Sequence, residues 1–131
     1  MATQYVQWEN SYTTSSVNGS TVADGSNVAT AAISADEKFA TEIVVEVSYG
    51  STVNDSAEVL IQKQTSDTPT YEGEADQPTT LAMPATASTT HSRTFNFPAE
   101  SASAFKVAVS NDTGAQITVT VRYKQGTLES V

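Results

Sequence analysis

The stretch AFKVAVSNDTGAQITVTVRYK, Ala104 to Lys124, decides the fold class. Phe105, Val107 and Val109 alternate with Lys106, Ala108 and Ser110. After a short break, Ile117, Val119, Val121 and Tyr123 alternate with Thr118, Thr120, Arg122 and Lys124. A period of two in β-branched and aromatic residues marks strands with one buried face. Read as a hairpin, the stretch pairs Val109 with Ile117, Val107 with Val119 and Phe105 with Val121. That leaves Asp112, Thr113 and Gly114 as the loop, closed by a left-handed glycine. A loop one residue longer would set Val109 against Gln116 and turn an apolar row toward water. A lone hairpin is marginal, so a second apolar face must cover this one.

That second face lies in the first half of the chain. Phe39, Ile43, Val45, Val47 and Tyr49 share one side of a strand, and Val59 and Ile61 answer them from Ala57–Thr65. Parity predicts another hairpin, with Val47 near Val59 and Val45 near Ile61. Val44 and Leu60 then point outward, and they are candidates for a self-association face. Residues 66–88 carry Pro69, Pro78, Pro84 and four carboxylates. They read as an acidic excursion with a short strand near Thr80–Met83, since proline belongs at strand edges and in loops. Thr89–Phe97 reads as a strand stopped by Pro98, with Arg93, Phe95 and Phe97 on one side. Ala99–Ser103 is expected to make one helical turn, and residues 126–131 a loose tail. Residues 1–27 read as an extended N-terminal arm leading into a domain over 28–125. The arm carries a short edge strand at Gln4–Trp8 and turn dipeptides at Asn18-Gly19 and Asp24-Gly25. Tyr5, Trp8 and Tyr12 stand out in so polar a segment. Either they fold back onto the domain's own core or they anchor the arm on a partner. The sum is seven to eight strands and no useful amphipathic helix. An all-β, antiparallel β-sandwich follows, with a jelly roll preferred over an immunoglobulin-like topology.

Composition narrows the function classes. A chain of 131 residues is one domain, and a net charge of −9 with six basic residues argues against nucleic-acid or anionic-membrane partners. Without cysteine there is no disulfide framework and no thiolate metal site. The opening Met-Ala-Thr-Gln lacks a basic, apolar leader, so no secretory signal is expected. On that basis the Asn-x-Ser/Thr triplets at Asn18, Asn54 and Asn111 read as accidents of a Ser/Thr-rich chain. The lone histidine, His91, lies in no nucleophile-elbow pattern, and no enzyme activity or cofactor is expected. Glu72, Glu74 and Asp76 sit in one loop rather than across a cleft, which glycoside hydrolysis requires. The loop Asp67–Asp76 is the best calcium candidate, yet its spacing departs from the EF-hand pattern. It reads instead as a solvated acidic loop, and no metal is expected.

The stretches TEIVVEVSYG (41–50) and FKVAVSNDTGAQITVTVRYKQ (105–125), with the Ser/Thr/Ala-rich N-terminal approach, resemble the small β-sandwich virion proteins of tailed bacteriophages. The resemblance is especially to capsid decoration or cement proteins, and it covers most of the chain through pattern and composition. It implies synthesis in the host cytoplasm and addition to the outer surface of a virion, against the major capsid protein, often as trimers. No interface residues transfer through it. Tyr5, Trp8 and Tyr12 are the expected anchors, with Val44 and Leu60 second. A tail-appendage or carbohydrate-binding module, using Tyr71 and a calcium-stabilised loop, is the alternative. A small hydrolase would depend on His91. The outer row Lys106, Thr118, Thr120, Arg122 and Lys124 reads as solvated sheet without a part in binding.

Overall fold

A computed structural model describes residues 3–65, 70–73, 79–98 and 103–130. Its strands in chain order are β1 (Gln4–Trp8), β2 (Thr13–Thr14), β3 (Ser20–Val22), β4 (Ser26–Ala29), β5 (Ile33–Ser34) and β6 (Ala40–Tyr49). They continue as β7 (Glu58–Lys63), β8 (Thr79–Ala82), β9 (Thr90–Pro98), β10 (Ala104–Asn111) and β11 (Ile117–Ser130). One antiparallel sheet runs β1-β11-β6-β9, with β2 and β3 also along β11. The other runs β4-β10-β7-β8, with β5 also along β10. The two sheets form the β-sandwich that the alternating strands predict. Taking β1–β3 as one strand and β4–β5 as another leaves eight, whose order is 1-8-3-6 over 2-7-4-5. That double winding is a jelly roll.

The pairing of the opening stretch is not a hairpin. β10 bonds to β7, β4 and β5, whereas β11 bonds to β6 and to β1–β3. Val107, Val109, Val119 and Val121 are all fully buried, but they enter the core from opposite sheets. The predicted pair of β6 and β7 fails in the same way, with Val45 and Val47 in one sheet and Val59 and Ile61 in the other. Alternation reports which side of a strand is dry. It does not tell a neighbour about 4.8 Å away in the same sheet from one about 10 Å away across the core.

The link from β10 to β11 is therefore an arch between layers, held by a buried network. Asn111 is fully buried; its Nδ2 donates to the carbonyls of Val22 (2.9 Å) and Ala115 (2.8 Å). Its Oδ1 accepts from Thr113 N (3.0 Å) and Thr113 Oγ1 (2.7 Å). Gly114 does take the left-handed conformation, at φ +94°, and a Cβ there would run into the Asn54 amide.

Several peripheral expectations change. Residues 1–27 do not leave the domain as an arm. β1, β2 and β3 follow β11 from Ser130 to Ile117, and the 27/28 boundary falls inside β4. Their pairing is broken into short pieces, so no sustained alternation marks them. Gly126–Ser130 is not a loose tail but the end of β11, paired with β1. Phe39 is 48% exposed, because it precedes the first paired residue of β6. The short strand near 80–83 is β8, followed by buried Met83. The proposed helical turn falls mostly on 99–102, and Asp67, Glu74 and Asp76 of the acidic loop also lie outside the described residues.

Candidate functional site

The outer face of the β1-β11-β6-β9 sheet collects most of the chemistry. Lys124 on β11 pairs with Glu42 on β6, and Glu42 with Asn96 on β9. One rung of the ladder thus presents an ammonium, a carboxylate and an amide side by side, each about 4.8 Å from the next strand. The next rung is Trp8, Gly126 and Ala40, also in register. Its two small residues leave a floor without side-chain bulk, and Trp8 forms a wall. The result is an open pocket of ≈ 370 Å³ lined by Trp8, Glu42, Asn96 and Lys124.

Local bonds set these groups. Glu9 continues the β1–β11 ladder, its N–H donating to the Gln125 carbonyl (3.0 Å). Its Oε1 accepts from Gln125 N at 2.7 Å, which fixes the chain just beyond Trp8. The backbone then turns back to β2, bringing Tyr12 beside the pocket. Tyr12 Oη donates to Glu42 Oε2 at 2.7 Å, and Lys124 Nζ stands 4.7 Å from the Tyr12 ring centre. The hydrogen bond to Glu42, with that carboxylate's charge, holds the Tyr12 phenol above its ordinary 10.0.

Gly126 is the position on which Trp8 depends. A Cβ there would stand 2.7 Å from Val6 Cγ1 and 3.2 Å from Trp8 Cδ2 and Cε2. An aromatic covering a strand glycine from the neighbouring strand supplies the packing the glycine lacks. Gly126→Ala is expected to cost about 1–3 kcal/mol through overpacking. It should also shift the emission of Trp8, the only tryptophan. An unchanged melting temperature and spectrum would contradict this placement.

The sequence-predicted anchors thus separate. Trp8 lines the pocket and Tyr12 stands beside it through Glu42, whereas Tyr5 lies on the other face of β1 from Trp8. Val44 and Leu60 do not share a face. Val44 lies on the outer side of β6 between Arg122 and Thr94, near the Arg122–Glu46 ion pair (2.9 Å). Leu60 lies on the outer side of the opposite sheet, between Ala108 and Thr80, and is only 6% exposed. The row expected to be inert supplies Lys124 to the pocket, and Lys106 stands in the other sheet, 4.6 Å over the Tyr71 ring. Glu42 and Asn96 escaped sequence reasoning because only the cross-strand register brings them together. His91 Nε2 meets Thr86 Oγ1 at 2.9 Å, and its ring lies edge-on to Tyr49. Glu72 Oε1 accepts from Lys63 N at 2.8 Å. Among the described residues no group of three or more His, Asp or Glu side chains is arranged to hold a metal.

A second feature adjoins the pocket. β6 begins pairing at Ala40, opposite Gly126, whereas β11 and β1 continue together from Thr127↔Gln7 to Ser130↔Gln4. A two-stranded ribbon about 14 Å long therefore projects beyond β6. It carries Tyr5 and Leu128, each 45% exposed.

No family model matches this sequence, and no curated protein matches it either. Among solved structures the chain is similar to part of a family GH115 4-O-methyl-α-glucuronidase with specificity for decorated arabinogalactans. The TM-score is 0.51 at 8% identity, over 87% of this chain. The match spans 16% of that enzyme's chain, and at this identity the likeness is one of fold.

Proposed function

We propose that this chain is a structural protein of a tailed-bacteriophage particle, a decoration protein that attaches to the outer shell and performs no catalysis. The observation that carries the reading is the projecting ribbon. A two-stranded ribbon without further cover is marginal in water. Protected edges carry charge or proline, as β9 does with Arg93 and Pro98. β1, QYVQW, has neither. An uncharged edge with Tyr5 on one side and Leu128 on the other suits strand addition to a partner's sheet, with the two side chains filling pockets on either face. The jelly-roll fold and the resemblance of residues 41–50 and 105–125 to decoration proteins support the major capsid protein as that partner. Binding there would stabilise the shell by mass action.

Co-sedimentation with undecorated capsids tests the reading. The wild-type chain should bind saturably at physiological salt. The double variant Tyr5→Ser, Leu128→Ser should bind at least about tenfold more weakly, since each side chain removes well over a kilocalorie of buried apolar surface. Both positions are exposed, so its melting temperature should stay within a few degrees of wild type. Absence of wild-type binding would remove the capsid assignment, and equal binding by the variant would remove the ribbon from it.

A further inference from the structure

We propose that the pocket of Trp8, Glu42, Asn96 and Lys124 binds a neutral pyranose ring, independently of how the chain attaches through its ribbon. Its chemistry selects among ligand classes. Trp8 packs the fused edge of its two rings against Gly126 and is one of the residues that line the pocket. An indole face is electron-rich and meets the weakly positive C–H face of a sugar well.

The polar groups suit hydroxyls rather than a charged ligand. Glu42 keeps Oε1 as an acceptor while Oε2 is taken by Tyr12. The Asn96 amide is exposed and has no hydrogen-bond partner among the described residues, so it offers both a donor and an acceptor. Lys124 adds donors from the third strand. A hydroxyl both donates and accepts, and two neighbouring hydroxyls on a ring would engage the carboxylate together with the amide or ammonium. An anionic ligand would face Glu42 and a molecule of net charge −9. A cation would face Lys124. A neutral polyhydroxylated ring meets neither repulsion.

The tyrosine beside the pocket adds pre-organisation. Its hydroxyl fixes Glu42, and its ring holds Lys124, so two of the three polar groups lose little freedom on binding. They lie on adjacent paired strands rather than on loops, which sets their spacing before any ligand arrives.

The test uses the full chain and the fluorescence of its only tryptophan. It is titrated with the methyl glycosides of glucose, galactose, mannose and N-acetylglucosamine, and in parallel with choline and inorganic phosphate. At least one glycoside should change the emission saturably in the millimolar range or below. Asn96→Ala should weaken that glycoside about tenfold while leaving the melting temperature unchanged, because the side chain is exposed and removes no internal bond. No saturable response to any glycoside up to tens of millimolar overturns the proposal. So does a response confined to choline or phosphate, or a glycoside response that Asn96→Ala leaves intact. Capsid binding of the Asn96→Ala variant should equal wild type, which keeps this site separate from the ribbon.

Discussion

Asn111→Ala is expected to lower stability by about 3–5 kcal/mol. The side chain is fully buried and makes four hydrogen bonds at the β10–β11 arch. Truncation leaves the Thr113 N–H without a partner in a dry site, at about 1–3 kcal/mol. It also removes three further hydrogen bonds worth about 0.5–1.5 kcal/mol each, while the Val22 carbonyl keeps its place opposite Ile117 on β11. The carbonyl of Ala115 keeps one bond, from Thr113 Oγ1 at 3.0 Å, so part of the network survives. The penalty is a large share of the roughly 5–15 kcal/mol available to a domain. The midpoint of thermal unfolding should fall by about 10 °C or more. Asn111→Asp keeps the acceptor for Thr113, but it sets a carboxylate against two carbonyls and should be no milder. Alanine at the neighbouring exposed Asp112 is the control. A fall of less than a few degrees in Asn111→Ala would show that the arch does not hold the two sheets together.

Phe105→Ala is the apolar counterpart, with an expected loss of about 3–5 kcal/mol. Phe105 is fully buried on β10, and its ring centre lies 4.4 Å from that of Phe97 on β9, in the other sheet. The contact is thus one of the ties between layers. Removing the ring leaves a cavity on β10, whose backbone is fixed by pairing on both sides, so collapse is limited. The pair itself should show a coupling of about 0.5–1.5 kcal/mol in a double-mutant cycle with Phe97→Ala. Chemical denaturation measures both quantities. Additive single effects would mean that the rings occupy the core without interacting.

Legibility followed the physics of each segment. Burial of Ile43, Val45, Val47, Val59, Ile61, Phe105, Val107, Val109, Val119 and Val121 was readable because alternation is local. So were β8, the strand ended by Pro98, and the left-handed Gly114. Pairing was not readable, since Val109 and Ile117 have the same parity whether they meet beside each other or across a core. The strands of residues 1–27 were faint because each is an edge piece anchored by a few bonds to β11, with little apolar pattern of its own. At the pocket, Trp8 and Tyr12 stood out by composition, whereas Glu42, Asn96 and Lys124 became one group only through register. Val44 and Leu60 looked alike as outward apolar residues, and the sheet assignment set them on opposite sides.

The placement of β10 and β11 in the middle of their sheets bears on how the chain folds. They are the last two strands in sequence, yet each is flanked on both sides by strands that precede it. Until residue 117 and its successors have been synthesised, β6 has no partner on one edge and the N-terminal pieces have nothing to pair with. A nascent chain therefore accumulates apolar strands without a centre to organise them, and the closing steps join segments more than a hundred residues apart, as in Gln4↔Ser130. Folding should be slow for the chain's size and dominated by late, long-range closure. Premature termination ahead of β11 should yield aggregates rather than a smaller domain.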